Sequence, residues 1–158
     1  MKILVIYDSI FGNTEKIARA VVKSLGDGND VMVVRTADVK NDQLIGLDFL
    51  AVGSPTRAFS PTPAMKDFLK QIPKGSLKGV KTIAFDTRIA LRDVNSPVLS
   101  VFVKIFGYAA QPIANQLVKK GAELVFPPEG FYVKGSEGPL KDGELERAQE
   151  WGRRILLA

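Results

Sequence analysis

Short apolar runs alternate with segments of helical period along the whole chain, and this alternation restricts the fold more than any other feature. The runs are Lys2 to Asp8, Asp30 to Arg35, Asp48 to Ser54, Val80 to Asp86, and Ala122 to Phe126 resuming near Phe131 to Val133. They predict five strands, apolar throughout and therefore covered on both faces. Between them, Asn13 to Leu25 places Ile17, Val21 and Leu25 on one face, and Pro63 to Ile72 does the same with Met65, Phe68, Leu69 and Ile72. Both read as amphipathic helices. Thr62 before Pro63 is an N-cap followed by a proline at the first helical position, where its missing N–H costs nothing. Asp142 similarly opens a last helix, with Leu145, Ala148, Gly152 and Ile155 as its stripe. Strand and helix alternating over about 30 residues per unit build right-handed crossovers onto a parallel sheet. The class is doubly wound α/β, with helices on both faces.

With 158 residues, the chain reads as a single domain, 1–158, without repeats or linkers. One stretch stands apart. Thr87 to Gly107 far exceeds the 2–6 residues of an ordinary strand-to-helix loop and is read as an irregular segment. Leu99, Val101, Phe102, Val103, Ile105 and Phe106 cannot all pack inward from one short segment. Either the segment extends the next helix into an enlarged core, or residues 98–106 meet a ligand, a second subunit or a hydrophobic partner.

Composition removes several chemistries. The chain has no cysteine and no histidine, which leaves no disulfide, thiolate nucleophile or Ser-His-Asp triad and no ordinary zinc or haem ligand set. No metal site and no catalytic side chain are expected, and redox chemistry would need a borrowed cofactor. Absence of cysteine fits a reducing cytoplasm. No uninterrupted apolar run reaches the roughly 18 residues of a membrane helix, so no membrane span is expected. Lys and Arg exceed Asp and Glu by 22 to 17, a net charge of +5, which favours acidic partners. The excess is scattered, without an Arg-rich helix or a stacking motif, so nucleic acid is not an expected partner.

In open α/β sheets, ligands bind beyond the carboxyl ends of the strands, where the strand order reverses. After the first strand comes Ser9-Ile10-Phe11-Gly12-Asn13-Thr14, a hydroxyl-, glycine- and amide-rich turn running into a helix N-terminus. Free N–H groups and the positive end of the helix dipole favour phosphate there, although a polar turn with an ordinary cap has the same composition. Neither G-x-x-x-x-G-K-[ST] nor G-x-G-x-x-G is present, so nucleotide hydrolysis and the dinucleotide fingerprint find no support. A phospho-accepting domain would want an aspartate closing the third strand, where Gly53-Ser54 stands.

The first loop resembles the phosphate motif [ST]-x-[ST]-G-x-T of the flavodoxin family at Ser9, Gly12 and Thr14, with Phe11 in place of the middle hydroxyl. Val52-Gly53-Ser54-Pro55-Thr56-Arg57 and the following Met65-Lys66-Asp67-Phe68-Leu69 resemble that family's second flavin loop, and Gly138-Pro139-Leu140 with Glu144-Leu145-Glu146 its last crossover. The resemblance spans nearly the whole chain. It implies a flavodoxin-like five-stranded parallel sheet of order 2-1-3-4-5 and a non-covalent FMN. The phosphate would lie on Ser9, Ile10, Phe11, Gly12, Asn13 and Thr14. The ring would lie between Ser54, Pro55, Thr56, Arg57, Ala58 and Phe59 on one side and Asp86, Thr87 and Arg88 on the other. Phe59 is the aromatic of the ring loops, and a core or helix-start role is favoured for Tyr108. The implied function is electron transfer between redox partner proteins, here ones with acidic surfaces. An FMN-dependent NAD(P)H or quinone oxidoreductase of the same fold is the alternative.

Overall fold

A computed structural model describes residues 1–158. The strands are β1 (Lys2–Tyr7), β2 (Asp30–Arg35), β3 (Phe49–Pro55), β4 (Lys81–Ile89), β5 (Glu123–Leu124) and β6 (Glu129–Val133). The helices are α1 (Asn13–Lys23), α2 (Pro63–Gln71), α3 (Pro97–Phe106), α4 (Ala110–Lys119) and α5 (Glu144–Arg153). All named strand pairs are parallel and the order is β2-β1-β3-β4-β5, with β6 also on β4. This is the flavodoxin-like order expected, with one refinement. The fifth position is filled by two short pieces, because the chain bulges between them. Thr82 faces Leu124 and Phe85 faces Glu129, so the stretch opposite β4 carries extra residues, among them Pro127 and Pro128. Proline offers no N–H to the ladder, and the strand cannot run through.

The alternating side chains of β1 show how the sheet is covered. Ile3, Val5 and Tyr7 point to one layer with Ile17 and Val21 of α1 and Trp151 of α5. Leu4 and Ile6 point to the other with Met65 and Leu69 of α2 and Ile113 and Leu117 of α4. A strand period of two meeting helical faces on both sides yields two apolar layers with the sheet between them. Trp151 closes the first layer edge-on against Phe85 and Phe131, at ring separations of 6.0 and 5.7 Å.

Helix α2 begins as the sequence predicts: the Thr62 hydroxyl accepts from the Met65 N–H at 3.2 Å, and Pro63 occupies the first turn. The last helix does not. Gly143, not Asp142, is its N-cap, and the Asp142 side chain is exposed beside Lys134. Of the expected stripe, Ala148, Gly152 and Ile155 are buried, but Leu145 is exposed and Glu144 and Trp151 are buried instead. The cause is Glu144. Its carboxylate accepts from the Tyr132 N–H at 2.6 Å and from the Arg147 guanidinium at 2.6 and 2.9 Å, which draws that face of the helix onto β6.

The segment 87–107 is not irregular. Strand β4 continues through Ile89, a short turn covers Leu91–Asp93, and α3 follows, capped by the Ser96 hydroxyl with Pro97 in its first turn. It does not extend the next helix into an enlarged core either. Gly107, at φ +72°, separates α3 from α4, and no residue of α3 is buried. Pro97–Lys119 taken together has the length and mean hydropathy, 1.3, of a membrane crossing. The break at Gly107 divides it, and Ile113, Ala114 and Leu117 of α4 are buried against the sheet.

Burial raises the Glu144 carboxyl, but the Arg147 guanidinium and the Tyr132 N–H outweigh it and hold the group below its ordinary 4.5. Its contribution to stability is therefore complete above the unfolded value and fades as pH falls through the folded one. Glu144→Gln is expected to lower Tm at pH 7 by about 3–10 °C, since hydrogen bonds to a charged group contribute ~1.5–3 kcal/mol. The gap to the unaltered protein should narrow steadily below about pH 4.5. Thermal melts across pH 3–8 check both.

Candidate functional site

The carboxyl ends of β1, β3 and β4 lie side by side, and β1 is the strand from which the order departs in both directions, to β2 and to β3. The crevice of such a sheet opens here. From β1 the chain turns through Asp8 to Gly12. Gly12 takes φ +89°, a left-handed conformation that side-chain-bearing residues adopt at a cost, and serves as the N-cap of α1 with no cap side chain of its own, while the Ser9 hydroxyl accepts from the Glu15 N–H at 3.5 Å. The N–H groups of Asn13 and Thr14 consequently have no acceptor within the chain. The loop itself is fixed from several sides. The buried Ser9 hydroxyl accepts from the Gly12 N–H at 3.1 Å, and the Ser9 carbonyl accepts from Arg35. Thr14 and Thr87 share a hydroxyl contact of 2.8 Å, and the Asn13 amide donates to the Glu137 carbonyl at 3.1 Å. Asp8 accepts from the Thr62 hydroxyl at 2.5 Å, tying the loop to the start of α2.

Beyond β3, Arg57 and Ser60 exchange backbone hydrogen bonds of 2.8 and 3.0 Å around a two-residue turn. Its central residues, Ala58 and Phe59, both have positive φ, +45° and +65°. Asparagine or glycine is usual in such a turn, so two side chains held left-handed mark stored strain. Ser54 stands behind the turn, its hydroxyl accepting from the Thr62 N–H at 3.1 Å. Thr56 bridges outward: its N–H reaches the Thr87 carbonyl at 2.9 Å and its hydroxyl accepts from the Ala109 N–H at 3.0 Å.

Beyond β4 the decisive pair is Asp86 and Arg88. Asp86 is fully buried and accepts from Arg88 Nε and Nη2 at 2.5 and 2.7 Å and from the Ala110 N–H at 2.8 Å. Burial pushes the Asp86 carboxyl upward, and Arg88 with the Ala110 N–H opposes the rise. The guanidinium lies 3.9 Å from the centre of the Tyr108 ring and directly over Gly130, where a Cβ would meet Nε at 2.1 Å. Tyr108 donates its hydroxyl to the Ile89 carbonyl at 3.2 Å, and burial raises the phenol above its ordinary value.

Two adjoining cavities result, with Thr56 and Ile89 in the walls of both. The first, of about 100 Å³, is lined by Ser9, Ile10, Phe11, Asn13 and Thr14, by Pro55, Thr56 and Arg57, and by Thr87 and Arg88. No carboxylate lines it. The second, of about 350 Å³, is mostly apolar and is lined by Ala58 and Phe59 with Val94, Leu99, Val103 and Tyr108. The three loops singled out in the sequence are thus brought together, but Gly12, Ser54 and Asp86 line neither cavity. They act behind it, as turn, as brace and as the anchor of Arg88. Val133 and Ser136 of the first wall escaped the sequence reading, whereas Leu99 and Val103 of the second belong to the apolar segment that reading singled out for a ligand or partner. Ser136 stands in the turn Gly135–Gly138, whose glycines were a readable loop signal.

A site at the switch point of a doubly wound parallel sheet, with an uncapped helix N-terminus at one end and an apolar slot at the other, defines a mononucleotide-binding class of protein. The family model for flavodoxin matches residues 5–151. A flavodoxin of Aquifex aeolicus (strain VF5) is 34% identical over 162 aligned residues, covering 98% of this chain and 84% of that protein. A flavodoxin from the domain Archaea superposes with a TM-score of 0.75 at 25% identity, over 98% of this chain and 96% of the other. Oxidised flavodoxin 1 from Bacillus cereus shares the fold with a TM-score of 0.77 at 19% identity, over 99% and 98%. The chain belongs to the flavodoxin family, and it is an FMN-binding electron-transfer protein.

Removing one partner of the buried pair should separate its two roles. Arg88→Met leaves the Asp86 charge uncompensated and is expected to cost about 3–5 kcal/mol, roughly 6–20 °C in Tm. Without Arg88 the folded carboxyl titrates still higher, so the loss is greatest at neutral pH and is relieved as pH is lowered through that raised value. Asp86→Leu combined with Arg88→Met should recover most of the stability. Melts at pH 5 and pH 8 distinguish these outcomes.

Proposed function

We propose that the first cavity takes the phosphate of FMN and the second its ring system, in a one-site electron carrier. The observation that carries this reading is the uncapped start of α1, where Gly12 is left-handed and the Asn13 and Thr14 N–H groups lack acceptors. These are the donors a phosphate needs, and no acidic side chain opposes them. Ser9, Ile10, Phe11, Gly12, Asn13 and Thr14 form the phosphate loop in this reading. Thr56, Arg57, Ala58 and Phe59 flank one side of the ring and Thr87 and Arg88 the other, with Ser54, Pro55 and Asp86 holding those loops. Phe59 and Tyr108 are the aromatic side chains in the wall of the apolar slot.

FMN, when bound, would supply reversible electron transfer. The chain's own residues bind, orient and desolvate, and the nearby acids are already engaged, Asp86 with Arg88 and Asp93 with Lys141. That inventory favours a carrier over the alternative NAD(P)H or quinone oxidoreductase. The net charge of +5, with Arg57 exposed beside the first cavity, favours redox partner proteins with acidic surfaces. A reducing cytoplasm is the compartment proposed with this function.

Titration of apoprotein with FMN and with riboflavin tests the assignment. FMN is expected to bind at least about tenfold more tightly, because only it engages the loop. Gly12→Val should weaken FMN about tenfold or more, since a branched side chain in the left-handed region costs ~1–2 kcal/mol. Lys104→Gln, which removes one screened charge, should change affinity far less. Equal affinity for the two flavins would overturn the phosphate assignment.

A further inference from the structure

Helix α3 lies at the mouth of the apolar cavity with no buried side chain. Leu99 and Val103 turn toward that cavity, while Ser100 and Lys104 turn to the opposite flank, beside Arg92. What remains is an outward stripe of Val98, Val101, Phe102 and Ile105, spaced as one helical face and between 41% and 67% exposed. The stripe is longer than the helix. Phe102 stacks on Phe106 at 5.8 Å, and both rings approach Phe59 at 6.0 Å, so the apolar surface runs into the 57–60 turn. Contiguous apolar surface of this kind is rarely left in water.

The charges around it are of one sign. Arg57, Arg92 and Lys104 are exposed and form no ion pair. From Val94 to Ala122 the sequence contains no Asp or Glu, and Asp93 is held by Lys141. A second copy docked about a two-fold axis would bring these cations toward their own images, with no acid on the same face to pair them. An anionic surface meets both features at once.

We propose that α3 docks the protein on the surface of an anionic lipid bilayer. Val98, Val101, Phe102 and Ile105 enter the boundary between headgroups and acyl chains, and Arg92 and Lys104 reach the lipid phosphates at its flanks. The docking is peripheral, since α4 stays packed on the sheet. It sets the mouth of the cavity at the membrane surface, where electron exchange with membrane-held proteins becomes a two-dimensional encounter.

Flotation of the intact, FMN-loaded protein with vesicles tests this, using phosphatidylglycerol mixed with phosphatidylcholine against phosphatidylcholine alone. Binding is expected on the anionic vesicles, weakened by salt. Val101→Glu with Ile105→Glu should abolish it, and Lys104→Gln or Arg92→Gln should each weaken it about fivefold. These residues are exposed and line neither of the site cavities, so Tm and FMN affinity should be unchanged in every variant. Absence of binding to anionic vesicles, or full binding by the double glutamate variant, overturns the proposal. So does a concentration-dependent dimer, seen by sedimentation, that the double glutamate variant disperses in a protein that ignores vesicles.

Discussion

The ligand edge of the sheet depends on a carboxylate that water cannot reach. Asp86, near the end of β4, collects the Arg88 fork and the first-turn N–H of α4. Arg88 in turn lies across Gly130 of β6 and against the Tyr108 ring. One ion pair thereby fixes the two strand ends and the start of α4 relative to each other. An isolated buried charge would be prohibitively unfavourable here, and the pair holds because nearly every donor and acceptor within it is matched. What it adds is geometry more than net stability. Thr87, between the paired residues, is left to face Thr14, so the loop after β1 inherits its position from the end of β4.

The two cavities divide the work according to what each wall can desolvate. At the first, a left-handed glycine opens α1, the Asn13 and Thr14 N–H groups have no acceptor within the chain, and the helix dipole adds positive potential without a mobile side chain. At the second, the walls are mostly apolar side chains. The strained turn at Ala58 and Phe59 belongs to this second wall. Its Cβ atoms hold the backbone away from relaxed conformations, and the clustering of Phe59 with Phe102 and Phe106 offsets part of that strain. The turn and α3 are therefore joined through one aromatic cluster beside the apolar cavity.

How far the sequence could be read follows from whether the deciding interaction is local. Thr62-Pro63 announces α2 because cap and first turn are adjacent in the chain, and the strand order is legible in the resemblance because each strand has its own apolar run. Ser96-Pro97 carries the same start signal, yet α3 escaped the reading because only Ser100 and Lys104 interrupt its apolar run and mark the period weakly. Asp142 resembles a cap by residue type. The start of α5 is instead set by Glu144 reaching Tyr132, a contact that exists only once β6 is in place. Asp86 and Arg88 stand two apart on a strand, and so on one face. That much is readable, but complete burial of the acid comes from α4 and β6 and turns an expected ligand contact into an anchor behind the wall.

Charge and apolarity at the mouth act over different ranges, and their combination decides how the site meets what it docks on. The cations act across a Debye length of about 8 Å at physiological ionic strength, orienting the molecule before contact. The stripe on α3 acts only at contact, when water leaves it, and contributes nothing to steering. A convex helix presenting Val98, Val101, Phe102 and Ile105 has no groove to receive a matching helix, whereas a fluid interface conforms to it at little cost in ordering. The cationic flanks then hold the helix level, because Arg92 and Lys104 lie to the side of the stripe opposite the cavity while Arg57 lies on the cavity side. Tilting away from that pose would lift one set of charges from the anionic layer. The same arrangement that brings the protein down therefore also fixes which edge of the sheet faces the surface, and that edge is the one carrying the site.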